Sequence, residues 1–326
     1  MRLLTALLSI GTLTATSAWT TASSSNSFRS NSVALGMGSR GADKAASRKE
    51  WAAKRGMAEG GDDSSAASGF CTIIGGGRIG SLLVKGGESL LLKRGDSIPV
   101  DNEGTPILIA TRNDSLEKII EECPENRLKD LVFLQNGYLD GYLSEKGLAD
   151  NSQALLYLSV PALGVDATDG VTSVNPEGLT AATGVHAQAF ADRLASLGLK
   201  CNVVTPDEYK PAMFEKLIWI STYMLVGTVK ECGSVGEAGS EHKDLVEKVI
   251  KELLAATAAK EGIEFAEGAV ERLAAYTDVV ANFPAAVKEF SWRNEYFYKL
   301  GDEACPTHNE LLRECKEKGL LGFDLP

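Results

Sequence analysis

The chain has 326 residues, with 33 Lys and Arg against 44 Asp and Glu, three His and six Cys; 44% of its residues are apolar and 24% charged. At roughly 150 residues per domain this length predicts about two domains, with a core large enough to need no disulfide or metal staple. A formal net charge of −11 argues against a phosphate backbone as the main partner, and six Cys without a C-x-x-C pair, together with three scattered His, argue against a protein-built metal centre.

In chain order, Met1 to Ala18 reads as a secretory signal. Arg2 supplies the positive start, Leu3 to Ala15 the short apolar run, and Thr16-Ser17-Ala18 the small residues before a cut. The run is too short to span a membrane stably. Between Trp19 and Ala58 stand seven basic residues, two acidic ones and ten Ser or Thr, which is transit-peptide composition. A signal followed directly by such a segment resembles the bipartite presequences of algae with secondary plastids. The expectation is delivery to a plastid by residues 1–58, with plain secretion as the alternative. Removing 1–58 takes away eight basic and two acidic residues, leaving 25 against 42 and a net charge of −17. Residues 59–69, rich in Gly, Asp and Ser, read as a linker.

A dinucleotide-binding half is predicted over 70–205. Phe70 to Ile74 is a short apolar run with β-branched residues, followed at once by Gly75-Gly76-Gly77-Arg78-Ile79-Gly80. That is G-x-G-x-x-G after a strand and at the opening of a helix. Gly75 would allow the tight turn, Gly77 the approach of backbone N–H groups to a pyrophosphate, and Gly80 close packing of the helix. A short helix, Ile79 to Val84, leads to a second strand, Ser89 to Leu92. The residue at the tip of that strand discriminates between dinucleotides: a carboxylate accepts the ribose 2′-OH of NAD, and a cation meets the 2′-phosphate of NADP. Lys93 and Arg94 stand there, with Asp96 two residues on, and they point to NADPH. Strands follow at Ile107 to Ala110, Leu131 to Leu134, Ala154 to Val160 and Cys201 to Val204, with helices at Ser115 to Glu122 and Val185 to Leu197. Such alternation predicts an α/β fold with a Rossmann-type doubly wound sheet.

Residues 206–326 are expected to form a second, all-α substrate domain. Thr205 or Asp207 is the candidate N-cap. Phe214 to Val226 is apolar nearly all round, as in a helix buried within a bundle. Val246, Ile250, Leu253 and Leu254 mark an amphipathic helix, and further helices are predicted over Ala269 to Val280 and Ala285 to Leu300, with Pro284 suited to the start of the last.

The run Gly75 to Gly80, the strand–helix–strand leading to Asn136-Gly137, and an isolated Lys216 on the first helix of the second half resemble the ketopantoate reductase (2-dehydropantoate 2-reductase) family; Glu289, five residues before Asn294, fits as well. The resemblance implies an NADPH-dependent reductase of a 2-oxo acid or related carbonyl. By it, Arg94 would meet the 2′-phosphate, Asn136 would sit beside nicotinamide and substrate, Lys216 would be the general acid with Glu289 as second catalytic member, and Arg112 and Asn294 would contact substrate. The family follows its lysine with Asn at +4 and +8, where this chain has Ile220 and Met224; beside the leading expectation of a ketopantoate reductase-type 2-oxo acid, that departure favours a second, a more apolar carbonyl.

Independently of any family, hydride reduction of a ketone puts charge on oxygen, and a lysine desolvated beside an apolar helix is suited to protonate it. Against that, Lys216 could lie on a wet face with Lys210 and Glu215, and Glu289 could merely pair with Arg293 at i,i+4 on a helix surface. Asn294 would lie about 140° from Glu289 on an α-helix. His186, His242 and His308 read as structural. The partners expected are a small-molecule carbonyl, no nucleic acid, no membrane once the presequence is gone, and a homodimer as the assembly open to it. An NADP(H)-binding sensor or interaction protein without turnover is the alternative.

Overall fold

Residues 69–326 are described by a computed structural model, within a unit running from Asp63 to Pro326. The presequence reading of 1–58 and all but the last residue of the linker lie outside the described residues.

Strands β1 (Cys71–Ile74), β2 (Ser89–Leu92), β3 (Ile107–Ile109), β4 (Leu131–Phe133) and β5 (Ser152–Leu155) are parallel, with β1 between β2 and β3. Strand β8 (Ala181–Thr183) then pairs antiparallel with β5, and β9 (Asn202–Val203) closes the seven-stranded sheet parallel to β8. The apolar runs carry no polar face because helices cover both sides. Period-two alternation divides them. Cys71, Ile73, Leu108 and Val132 pack against α1 (Arg78–Lys85) and α4 (Ala187–Ala195). Ile107, Ile109, Leu131 and Phe133 pack against α2 (Leu116–Glu122) and α3 (Asp140–Glu145). Helix α1 is short, as Gly86-Gly87 predicts, and its end is pinned from α4: the Arg193 guanidinium donates to the carbonyls of Leu83 and Glu88 at 2.8 and 2.7 Å.

The expected strand Ala154 to Val160 breaks after Leu155. The Tyr157 N–H is taken by Thr180 Oγ1 at 2.9 Å, and β6 (Leu158–Ser159) pairs instead with β7 (Thr168–Asp169) in a separate ribbon.

After β9, no further strand occurs among the described residues. Helix α5 (Pro206–Val229) starts at Thr205, whose hydroxyl accepts from the Glu208 N–H while the Glu208 carboxylate accepts from the Thr205 N–H, a reciprocal cap. Around α5 pack α6 (Val235–Glu241), α7 (Lys243–Glu261), α8 (Ala269–Val279), α9 (Asn294–Lys299) and α10 (Pro306–Glu317). The core of this half also takes in Leu155, Tyr157 and Ala181 from the sheet half, so one apolar interior runs through both.

The predicted helix Ala285 to Leu300 does not form as such. Residues 281–289 run as a non-helical strap, followed by a 3-10 turn, Phe290–Trp292, and only then by α9. The carbonyls of Ala281 and Phe283 accept from Gly236 and Val235 at the start of α6, and the Val287 N–H goes to Thr228 Oγ1. Those groups are therefore withdrawn from any helix of their own. Glu289 completes the break with a left-handed backbone, φ +50°, which excludes it from a right-handed helix.

Candidate active site

The C-terminal ends of β1 to β4 and the end of the strap enclose a cleft of about 960 Å³. Its floor is the glycine turn. Gly75 has φ +106°, and a side chain there would meet the Ala110 carbonyl at 2.8 Å; a Cβ on Gly80 would meet the Gly75 carbonyl at 1.8 Å. These two glycines are thus demanded by the turn and by close packing. Gly76 and Gly77 are different: a Cβ on either meets nothing within 4 Å, so their lack of side chains leaves room in the cleft rather than relieving a clash. Gly77 caps α1 without a side-chain bond, which leaves the first N–H groups of an eight-residue helix facing the space, a favourable place for an anion. Ile79 also lines the cleft. The Arg78 guanidinium turns aside and donates to the Val160 carbonyl at 3.0 Å.

One end of the cleft is the tip of β2. Lys93 and Arg94 are both exposed and line it. Asp96 does not neutralise them: its carboxylate accepts from the Lys93 backbone N–H at 2.8 Å and so fixes the turn. Among the described residues neither cation pairs with a carboxylate.

The other end brings together Arg112, Asn113, Gln135, Asn136, Glu289 and Arg293. The Asn113 side chain donates to the Asn136 carbonyl at 3.1 Å, and its backbone N–H reaches Glu289 Oε1 at 3.3 Å. Glu289 Oε2 accepts from Arg293 Nη2. This is not the wet helical pair weighed above. The two side chains are 25% and 15% exposed, and the left-handed turn at Glu289 aims both into the cleft. The turn is seated on the loop after β4, where the Tyr138 N–H donates to the Trp292 carbonyl at 2.8 Å and a Cβ on Gly137 would meet that same oxygen at 2.7 Å. Arg112 stands at the rim, 79% exposed and paired with Asp114. At this end of the cleft, Asn113, Gln135 and Arg293 are lining residues that the sequence alone does not single out as site residues. The spacing of Arg293 from Glu289 was visible, but the strap that delivers both was not.

Lys216 and Asn294 are not among the residues that line this cleft. Lys216 is neither on a wet face nor at the cleft wall. Its Nζ lies 4.0, 4.4 and 4.5 Å from the ring centres of Tyr157, Tyr276 and Trp219 and donates to Tyr276 Oη at 3.3 Å; it has no carboxylate partner among the described residues, the adjacent Glu215 pairing with Arg272. Burial pulls the amine well below the ordinary lysine range, and the positive charge of Arg293 pushes the same way. Ile220 and Met224, four and eight residues on, pack into the helical core. They therefore do not stand where substrate amides would be needed. Asn294 is 2% exposed; its amide donates to the Ser221 carbonyl and meets His308 Nε2, both at 3.1 Å. It braces α5 against α9 and α10, and the substrate contact implied by the resemblance is corrected accordingly. Among the described residues, no helix is long and apolar enough to cross a membrane.

The fold and cleft define a class: a Rossmann-type sheet joined to an all-α half, with a cleft at the carboxyl ends of the parallel strands. No protein-family profile matches the chain, and no curated protein matches it. Solved structures do. A PanE/ApbA family ketopantoate reductase from Ralstonia eutropha JMP134 is 16% identical with a TM-score of 0.55, over 76% of this chain and 99% of that one. A 2-dehydropantoate 2-reductase from Methylococcus capsulatus is 16% identical with a TM-score of 0.54, over 78% and 99%. A D-mandelate dehydrogenase solved with NADH and anilino(oxo)acetate is 17% identical with a TM-score of 0.55, over 77% and 99%. The fold is that of the ketopantoate reductase structures.

Proposed function

We propose that the protein is an NADPH-dependent reductase of a 2-oxo acid or closely related carbonyl. The observation that carries this reading is a single cleft holding the open glycine turn and the Lys93-Arg94 tip at one end and Asn136, Glu289 and Arg293 at the other. The space left above Gly76 and Gly77 fits a pyrophosphate, and two unpaired cations at the tip of β2 fit a 2′-phosphate. Bound there, NADPH supplies the hydride. The chain's own residues then orient the acceptor: Asn136, held by Asn113, fixes the wall beside the nicotinamide end, and the Glu289–Arg293 pair faces it. Proton delivery falls to Lys216, whose side chain must leave its three rings to reach the cleft. The D-mandelate dehydrogenase crystallised with NADH and a ligand bearing a carbonyl next to a carboxylate supports the 2-oxo acid class.

The test is NADPH oxidation with a panel of 2-oxo acids. Turnover of at least one, with NADPH preferred over NADH, is the expected result; tight NADPH binding without turnover on any acid would leave the sensor reading. A homodimer is proposed by analogy with the dimeric ketopantoate reductase of Staphylococcus aureus, 18% identical with a TM-score of 0.51, and sedimentation at two concentrations checks it. Delivery to a plastid by residues 1–58 rests on their composition; a fluorescent fusion of that segment that is secreted instead supports the alternative.

A further inference from the structure

Arg293 is the most enclosed cation in the cleft lining. Its guanidinium spends one nitrogen, Nη2, on Glu289. Nε is buried and has no hydrogen-bond partner among the described residues. Because Nε is closed to solvent, an anion entering the cleft would meet Nη1, which makes no hydrogen bond among the described residues and is not closed off in this way, and an N–H of a guanidinium is strongly disposed to a carboxylate. Arg112 is the competing cation, but it lies at the rim, 79% exposed and already paired with Asp114, where an ion pair contributes little. Lys93 and Arg94 belong to the opposite end. The backbone links Gly137, Tyr138 and Trp292, so Arg293 is fixed beside Asn136, at the place where the reacting carbonyl would stand.

We propose that Arg293 is the specificity-determining residue of the cleft, its guanidinium taking the carboxylate of a small 2-oxo acid beside Asn136 while Glu289 holds it in place. This rests on the reductase reading for the identity of the acid, but not for the preference for an anion over a neutral analogue. Removing the charge should cost more for the acid than for a neutral amide of the same shape, because only the acid loses its charged partner.

Oxamate and oxamide are such a pair, differing by carboxylate against carboxamide, and each can be titrated calorimetrically into the NADPH-saturated protein. Oxamate is expected to bind at least tenfold more tightly than oxamide. In Arg293→Met that preference should disappear, with oxamate weakened tenfold or more and oxamide within about twofold, while NADPH affinity stays within about twofold. Arg293→Lys keeps the charge and should retain part of the preference, which guards against a general loss of structure in the methionine variant. Equal binding of the two ligands by the unsubstituted protein, equal losses in Arg293→Met, or a preference that survives that substitution would each overturn the proposal. The 2-oxo acid panel separates the two readings. Turnover with an acid preference independent of Arg293 sinks this assignment and leaves the reductase; Arg293-dependent oxamate binding without turnover on any acid sinks the reductase and leaves the anion site.

Discussion

Lys216 joins two demands in one side chain. A buried amine with no carboxylate beside it is costly to hold in its charged form, although three aromatic rings within 4.5 Å offset part of that cost. If its proton is the one delivered to the carbonyl oxygen, Lys216→Met should reduce turnover by about 10²–10⁴-fold and leave NADPH affinity unchanged. The same substitution removes the desolvated amine from an apolar cage and should raise the urea midpoint. Turnover within tenfold of the parent, together with a lowered midpoint, would mark Lys216 as a packing element. At the other end of the cleft, Arg94 is exposed and has no ion-pair partner among the described residues. If it meets the 2′-phosphate as proposed, Arg94→Ala should weaken NADPH by about tenfold, the scale of one charge-assisted contact, and leave NADH unaffected. A parallel loss for both dinucleotides, measured by titration, would remove Arg94 from cofactor choice.

The strap 281–289 is the element on which the Glu289–Arg293 end of the cleft depends, and two glycines, Gly227 and Gly236, let it pass. A Cβ on Gly227 would lie 2.3 Å from that of Ala285, and one on Gly236 would lie 2.7 Å from that of Ala281. Gly227→Ala must therefore displace the strap, and with it Glu289 and Arg293. Oxamate affinity should fall by about tenfold and stability by about 1–3 kcal/mol, the usual cost of overpacking, with NADPH affinity unchanged; adding Ala285→Gly should restore both. Loss of NADPH binding instead would show that the strap supports the whole cleft. This element also marks where the sequence stops being readable. The turn Gly75 to Gly80, the strand Ser89 to Leu92 and the cap at Thr205 are local signals, each decided by residues within a few positions. The strap is decided by N–H groups of Val235 and Gly236 some fifty residues earlier, which take its carbonyls, and nothing in Ala285 to Leu300 advertises that competition. Lys216 was legible as an isolated cation on an apolar helix; its surroundings were not, because Tyr157 and Tyr276 lie about sixty residues away on either side. Ile220 and Met224, on the same helix as Lys216, pack against the helical core, a placement likewise set by residues distant in sequence.

Across the whole molecule, one apolar interior joins sheet and helices through Leu155, Tyr157 and Ala181, so a disturbance at the far end of the helical half is felt as global stability. His308 supplies such a disturbance. It is fully buried, with Nδ1 2.9 Å from Asn309 Oδ1 and Nε2 3.1 Å from Asn294 Nδ2. The second asparagine nitrogen can only donate, so Nε2 accepts and the ring is neutral. Burial pulls its pKa down to about 4. As pH falls below about 6.5 the unfolded chain takes up this proton and the folded one does not, so stability declines until about pH 4. At pH 4.5 the loss from this residue should be about 2–3 kcal/mol, read as the difference in acid sensitivity of the urea midpoint between the parent and His308→Gln. An identical slope in the two proteins would show that the ring titrates normally. The rings around Lys216 have one more consequence, an optical one. A chain lacking residues 1–58 keeps only two of its four tryptophans, Trp219 and Trp292. The first lies 4.5 Å from the buried amine and the second sits under the loop that carries Asn136. The protein's own ultraviolet emission thus has one indole beside the hidden lysine and another packed edge-on against Tyr142, two signals separable by replacing either with phenylalanine and without attaching a dye.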